Sequence, residues 1–151
     1  MADTKNKKDA LIRSGIVLAG ANDSEINSED DGYLTALEII NMNWKGTELV
    51  VISACDSGLG DNRFGEGIYG LNRAIRVAGA KSSLLSLWKV DDNATAVFME
   101  SYYKRLKLGK GKAKALFETQ KEFRNHPIPL FRHPNIWAAF QLSGDWRSID
   151  L

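Results

Sequence analysis

Glu48-Leu-Val-Val-Ile-Ser-Ala-Cys55-Asp-Ser-Gly-Leu-Gly60 is the stretch on which the rest of the chain hangs. Leu49 to Ala54 is almost wholly apolar and rich in β-branched residues, with no polar alternation. Such a run predicts a strand covered on both faces, as in a parallel sheet. The only cysteine follows at the strand's carboxyl end, in a glycine-punctuated loop. In open α/β sheets ligands and catalytic groups collect at that end. A thiol there is either a site or a small buried hydrophobe.

Working outward, Ile16 to Ala19, between Gly15 and Gly20, is a short strand candidate, and the acidic stretch from Ala21 to Gly32 reads as a loop. Thr35-Ala-Leu-Glu38 has capping-box spacing and opens a short helix with Leu37 and Ile40 on one face. Beyond the central loop, Ile68, Leu71, Ile75 and Ala78 share one helical face, and Gly79 stops that helix. Ser83 to Trp88 is the second core strand, parallel to the first by inference. A helix with Val97, Phe98, Tyr102 and Leu106 inward follows and ends at Gly109. The next begins near Lys112 with Ala113, Leu116, Phe117, Gln120 and Phe123 on one stripe. His126-Pro127 and Pro129 break it, and Ile136 to Leu142 is the last strand. Strands alternating with helices predict an α/β fold, a layered and mostly parallel sheet with flanking helices, without repeats or an internal domain boundary.

The chain has 151 residues, 44% hydrophobic and 26% charged, with formal charge +1. That suits a single domain with a sizeable core and gives no general field for nucleic acid or acidic membranes. One cysteine excludes an intramolecular disulfide, and the polar amino terminus carries no signal-peptide core, so a cytoplasmic protein is expected, with no membrane partner.

Four further blocks add to the cysteine loop: Leu11-Ile-Arg-Ser-Gly-Ile-Val-Leu-Ala-Gly-Ala-Asn22, Gly65-Glu-Gly-Ile-Tyr-Gly-Leu71, Ala78-Gly-Ala-Lys-Ser82 with Ser86-Leu-Trp-Lys-Val-Asp-Asp92, and His133-Pro-Asn-Ile-Trp-Ala-Ala-Phe140. In this order they resemble the CHAT family, caspase-like bacterial cysteine peptidase domains often found behind tetratricopeptide repeats. The resemblance runs from about Leu11 to Trp146. It implies a caspase-like fold, a cysteine endopeptidase with a protein or peptide substrate, Cys55 as nucleophile, and no cofactor or metal. A tetratricopeptide-repeat region of the same longer chain is an implied partner. The family's catalytic histidine lies in a His-Gly pair upstream of the Ser14-Gly15 block, whereas residues 1–13 hold no histidine. The expectation is therefore an incomplete domain, residues 1–151, inactive alone.

A peptidase thiol also needs a base, oxyanion donors and a pocket. Gly58 and Gly60 let the loop backbone approach an oxyanion, or simply make a tight turn. His126 and His133 stand beside prolines, far along the chain, and His133 reads as a hydrogen-bonded turn residue. The resemblance puts the specificity pocket near the end of the second strand. There Trp88 is an apolar wall or core, and Asp91 and Asp92 divide between a helix cap and recognition of a basic residue before the scissile bond.

Three other readings compete. The scaffold could be a non-catalytic protein-interaction module. Gly65-x-Gly67-x-x-Gly70 outlines a dinucleotide site, but it begins ten residues past Cys55 and places Glu66 where a pyrophosphate would lie. Lys104 to Lys114 carries six basic residues and no acidic ones, which is a solvated helix end complementing the dipole or, less simply, a site for an anionic partner. Finally, without the histidine-bearing strand Leu49–Ala54 would be an apolar sheet edge. Self-association is expected there, or occupation by Ile16–Ala19 or the amino-terminal segment.

Overall fold

The computed structural model describes Leu11, residues 14–18, Ala21, residues 32–53 and residues 66–149. They fall into two compact units, one drawn from Met1–Gly46 and Ser57–Ala80, the other from Thr47–Asp56 and Lys81–Leu151.

In the first unit β1 (Gly15–Val17) pairs antiparallel with β2 (Tyr33–Thr35). A Cβ at Gly15 would lie 2.6 Å from the Leu34 carbonyl oxygen, so only glycine admits this close approach. The pairing also settles where the expected Ile16–Ala19 strand goes. It begins one residue earlier, and its described part takes β2 as its neighbour rather than the edge of the central strand.

Thr35 then caps α1 (Ala36–Ile40) with the anticipated capping box. Its Oγ1 accepts from the Glu38 amide at 3.2 Å, and the Glu38 carboxylate accepts from the Thr35 amide at 2.7 Å. Two orphan donors of a five-residue helix are thereby satisfied. The inward face differs from the expected one: Ala36 and Ile39 are buried, while Leu37 is exposed. The small Ala36 lets the helix settle with that side down, which periodicity alone could not show. α1 packs on α2 (Glu66–Ala78), whose Leu71, Ala74, Ile75 and Ala78 are buried. Gly79, at φ +109°, ends α2 as expected, and a Cβ there would meet Lys45 backbone at 3.1 Å.

The second unit is built on a three-stranded sheet in the order β3 (Val50–Ile52), β4 (Ser82–Ser86), β5 (Phe140–Gly144). β3 and β4 are parallel, as inferred, with Ile52 opposite Leu85; β5 runs antiparallel to β4, which makes the sheet mixed. All five β4 residues are buried, so β4 is the two-faced central strand and the three β3 residues are only half-buried. Among the described residues β4 is β3's one strand neighbour.

Two helices cover this sheet. Asp91 caps α3 (Asp92–Lys107), and α4 (Lys112–Arg124) returns against it. The core is an aromatic stack in which Phe98 lies on Phe140 at 4.5 Å between ring centroids and meets Phe123 edge-on at 5.0 Å. Each such pair is worth about 0.5–1.5 kcal/mol beyond the area it buries. Phe98, Tyr102 and Leu106 point inward as anticipated, but Val97 is partly exposed, its place taken by Ala94. On α4 the buried set is Lys112, Ala115, Leu116, Thr119 and Phe123, so Phe117 lies outside it. The expected strand over Ile136–Leu142 is also corrected. Pro134, with φ preset for a first helical turn, starts α5 (Pro134–Trp137), and β5 begins only at Phe140.

The basic run is largely absorbed by ion pairs. Lys104 meets Glu100 at 2.7 Å, Arg105 joins Glu118 and Glu122, and Lys110 joins Glu118. Lys112 is fully buried, with Nζ 3.5 Å from Glu48 Oε2 and no hydrogen-bond partner among the described residues.

Candidate functional site

The carboxyl ends of β3 and β4 lie side by side, because the two strands are parallel and in register from Val50 opposite Ser83 to Ile52 opposite Leu85. This is the end of the sheet at which open α/β folds gather ligands. From β3 the chain runs through Ser53, which is exposed, toward Cys55. Cys55, Gly58 and Gly60 lie outside the described residues, so the expected nucleophile and oxyanion loop carry no geometry here. Leu49–Ala54 as a strand is seen over Val50–Ile52.

From β4 the chain leads to the pocket candidates. Trp88 is half-buried and packs against the core cluster. Its Nε1 donates to the Asn135 carbonyl at 2.7 Å. Part of the ring is thus core, and the indole is held in a fixed orientation. Asp91 and Asp92 divide. Asp91 Oδ1 accepts from the Ala94 amide at 3.0 Å and is the helix cap, a role worth about 1 kcal/mol. Asp92 is exposed in the first turn of α3.

Sequence reasoning missed two features. Ser86 Oγ, at the last position of β4, is buried and has no hydrogen-bond partner among the described residues. A serine closing a strand that already holds two others gave no signal for this. The second is the Trp88–Asn135 tether, which joins residues 47 positions apart.

The two histidines are engaged locally. His133 caps α5, its Nδ1 accepting from the Asn135 amide at 3.2 Å, which is the turn role expected of it. His126 Nδ1 accepts from the Ile128 amide at 3.2 Å, and the ring lies 4.8 Å from that of Phe131 and 5.5 Å from that of Phe123.

Of the dinucleotide outline, Gly67 and Gly70 sit within α2 rather than in a turn before it. A Cβ at Gly67 would come 3.7 Å from Ser14 Cβ, so this glycine faces neighbouring protein. Among the described residues no three His, Cys, Asp or Glu side chains cluster as a metal site, and no helix is long and apolar enough to cross a membrane.

An α/β domain with a candidate site at the ends of two adjacent parallel strands is thus the class that fold and site define. The CHAT domain family matches residues 2–145. The chain belongs to the CHAT domain family. Two relatives, both named Tetratricopeptide repeat protein 28, from Homo sapiens and Mus musculus, are each 32% identical over 111 residues. The match covers 74% of this chain and 4% of each relative, so the chain spans a small part of their length. The sequence suggested bacterial peptidases; these relatives are mammalian.

Proposed function

We propose that residues 2–145 act as one caspase-like cysteine peptidase domain in which Cys55 is the nucleophile. The observation that carries this reading is the CHAT family match, together with a cysteine placed by sequence just past the carboxyl end of β3, beside parallel β4. In the reaction a histidine takes the Cys55 proton, and the thiolate sulfur attacks the peptide carbonyl carbon. Loop amides around Cys55 and Gly58 hold the resulting oxyanion. The histidinium returns the proton to the leaving amine, and water then hydrolyses the acyl-enzyme. Trp88, fixed by Asn135, forms a wall of the substrate pocket. Asp92 is the carboxylate left to read a basic residue before the scissile bond, since Asp91 is spent on its cap.

The base comes from a histidine other than His126 and His133, because both already serve turns through Nδ1. On this reading the 151 residues are expected to be inactive alone. A second reading, a non-catalytic interaction module in the cytoplasm beside tetratricopeptide repeats, takes support from that same engagement of both histidines and from the repeat proteins among the relatives.

Iodoacetamide kinetics separate the two. An unassisted thiol has a pKa near about 8.5 and reacts slowly at neutral pH. Addition of an upstream segment that ends a strand in His-Gly should accelerate alkylation of Cys55 and leave a Cys55→Ala variant unlabelled. Alkylation that stays slow with that segment bound supports the module. Robust, Cys55-dependent peptide cleavage by the 151 residues alone would show the base to be misassigned.

A further inference from the structure

The outer face of α4 is not explained by the fold or by the peptidase reading. Lys114, Phe117, Lys121 and Arg124 follow one another at helical spacing of three, four and three residues, and all are exposed. Phe117 is 64% exposed in the middle of this stripe. The helix's own carboxylates are engaged elsewhere, Glu118 by Lys110 and Arg105 and Glu122 by Arg105 and Ser101, although Glu118 also feels the Lys114 charge. Lys114 and Lys121 make no ion pair among the described residues.

Aromatic surface adjoins the stripe at its carboxyl end, and an exposed tryptophan lies near its amino end in the chain's path. At its carboxyl end the Arg124 guanidinium lies 5.4 Å over the Trp137 ring, and Gln120 Nε2 donates to the Trp137 carbonyl at 3.2 Å. At its amino end the Trp146 carbonyl accepts from the Ala113 amide at 3.2 Å, and Trp146 as a residue is 67% exposed. An exposed phenylalanine between cations on one helix, with Trp137 beside the last of them, has the composition of a protein-docking surface, where aromatic residues and arginine dominate.

We propose that this face docks an acidic amphipathic helix of a protein partner, with Phe117 as the apolar anchor. Lys114 and Lys121 stand about 4.5 and 6 Å along the axis on either side of Phe117, from a rise of about 1.5 Å per residue. A partner helix with an apolar residue flanked by carboxylates three before and four after would set one carboxylate at each lysine. Arg124, stacked on Trp137, meets the next turn. A nucleic acid fits less well, because the formal charge of +1 supplies no wider field for a phosphate backbone.

The test uses the 151-residue chain labelled with nitrogen-15. The probe is an acetylated 16-residue helical peptide with leucines flanked by glutamates at that spacing. Controls are the same peptide with lysine for glutamate and a thymidine oligonucleotide. Saturable shifts of amides along residues 113–125 with the acidic peptide are expected, weakening as sodium chloride is raised. Phe117→Ala should weaken binding at least fivefold, and Lys114→Glu with Lys121→Glu should abolish it. Circular dichroism checks that these surface variants keep the fold. The proposal fails if millimolar acidic peptide leaves the α4 amides unmoved or shifts another surface instead. Equal binding by the variants, or tighter binding of the oligonucleotide, overturns it equally.

Discussion

Buried polar atoms without hydrogen bonds are where single residues have most to reveal. Tyr102 sits in the core of α3 with its Oη unpartnered among the described residues, and burial pushes the phenol above its ordinary pKa. An unsatisfied buried hydroxyl is a cost, so Tyr102→Phe, which keeps the ring, is expected to stabilise the chain by about 1 kcal/mol in urea unfolding. Lys112 poses the same question with a charge. Its ammonium is buried 3.5 Å from Glu48, and Glu48 is already hydrogen-bonded by Lys81. The Lys81 bond, with Lys112 behind it, holds the Glu48 carboxyl below its usual range. Lys112→Met keeps the packing volume and leaves Glu48 its Lys81 partner, so the urea midpoint should hold or rise. Glu48→Ala instead strips the carboxylate from a buried cation, and its midpoint should fall. The reverse order of the two midpoints would show that Lys112 is itself a net stabilising ion.

Between elements, the α3–α4 contact is pinned at its rim by carboxylates with lowered pKa values. For Glu118 the Lys110 hydrogen bond is the main cause. For Glu122 burial alone would raise the value, and hydrogen bonds from Ser101 and Arg105 overcome it. Both folded values therefore lie below the ordinary 4.5. A depressed carboxylate stabilises the fold fully above its unfolded pKa, and that share is lost as pH falls through the folded one. Unfolding free energy should thus decline as pH drops below 4.5, and Arg105→Met should make the decline shallower while lowering stability at pH 7. An unchanged acid slope in Arg105→Met would mean that these pairs are too solvated to matter. The helices themselves were partly legible. Thr35 with Glu38, Gly79 and Gly109 marked their ends, because caps and left-handed turns are local chemistry. Which side of each helix turns inward was less so. Val97, Leu37 and Phe117 fit an apolar stripe by period, yet Ala94, Ala36 and Ala115 are buried in the settled faces. A small residue allows close approach, and only the neighbouring element decides whether that approach is used.

At the scale of the whole molecule, β3 has β4 on one side and no strand on its other among the described residues. An apolar edge of this kind recruits another strand. We expect the 151 residues to self-associate in sedimentation velocity at micromolar concentration, with Val50–Ile52 amides protected from exchange. A monomer with fast exchange along β3 would contradict this. By itself the sequence determined the α/β alternation, the parallel pairing of the two core strands, the capping of α1, one aspartate as cap of α3 and the family. Each of these is written in contiguous residues or in ordered blocks of them. It also singled out Cys55, a reading that rests on position in the sequence and on family. Only the tertiary structure decided that β1 joins β2, that β5 runs antiparallel and starts at Phe140, that Asn135 tethers Trp88, and that Lys104, Arg105, Lys110 and Lys112 of the basic run are taken up by Glu48, Glu100, Glu118 and Glu122. These depend on which residues meet across long separations, and the pairwise energies that select them have no local signature along the chain.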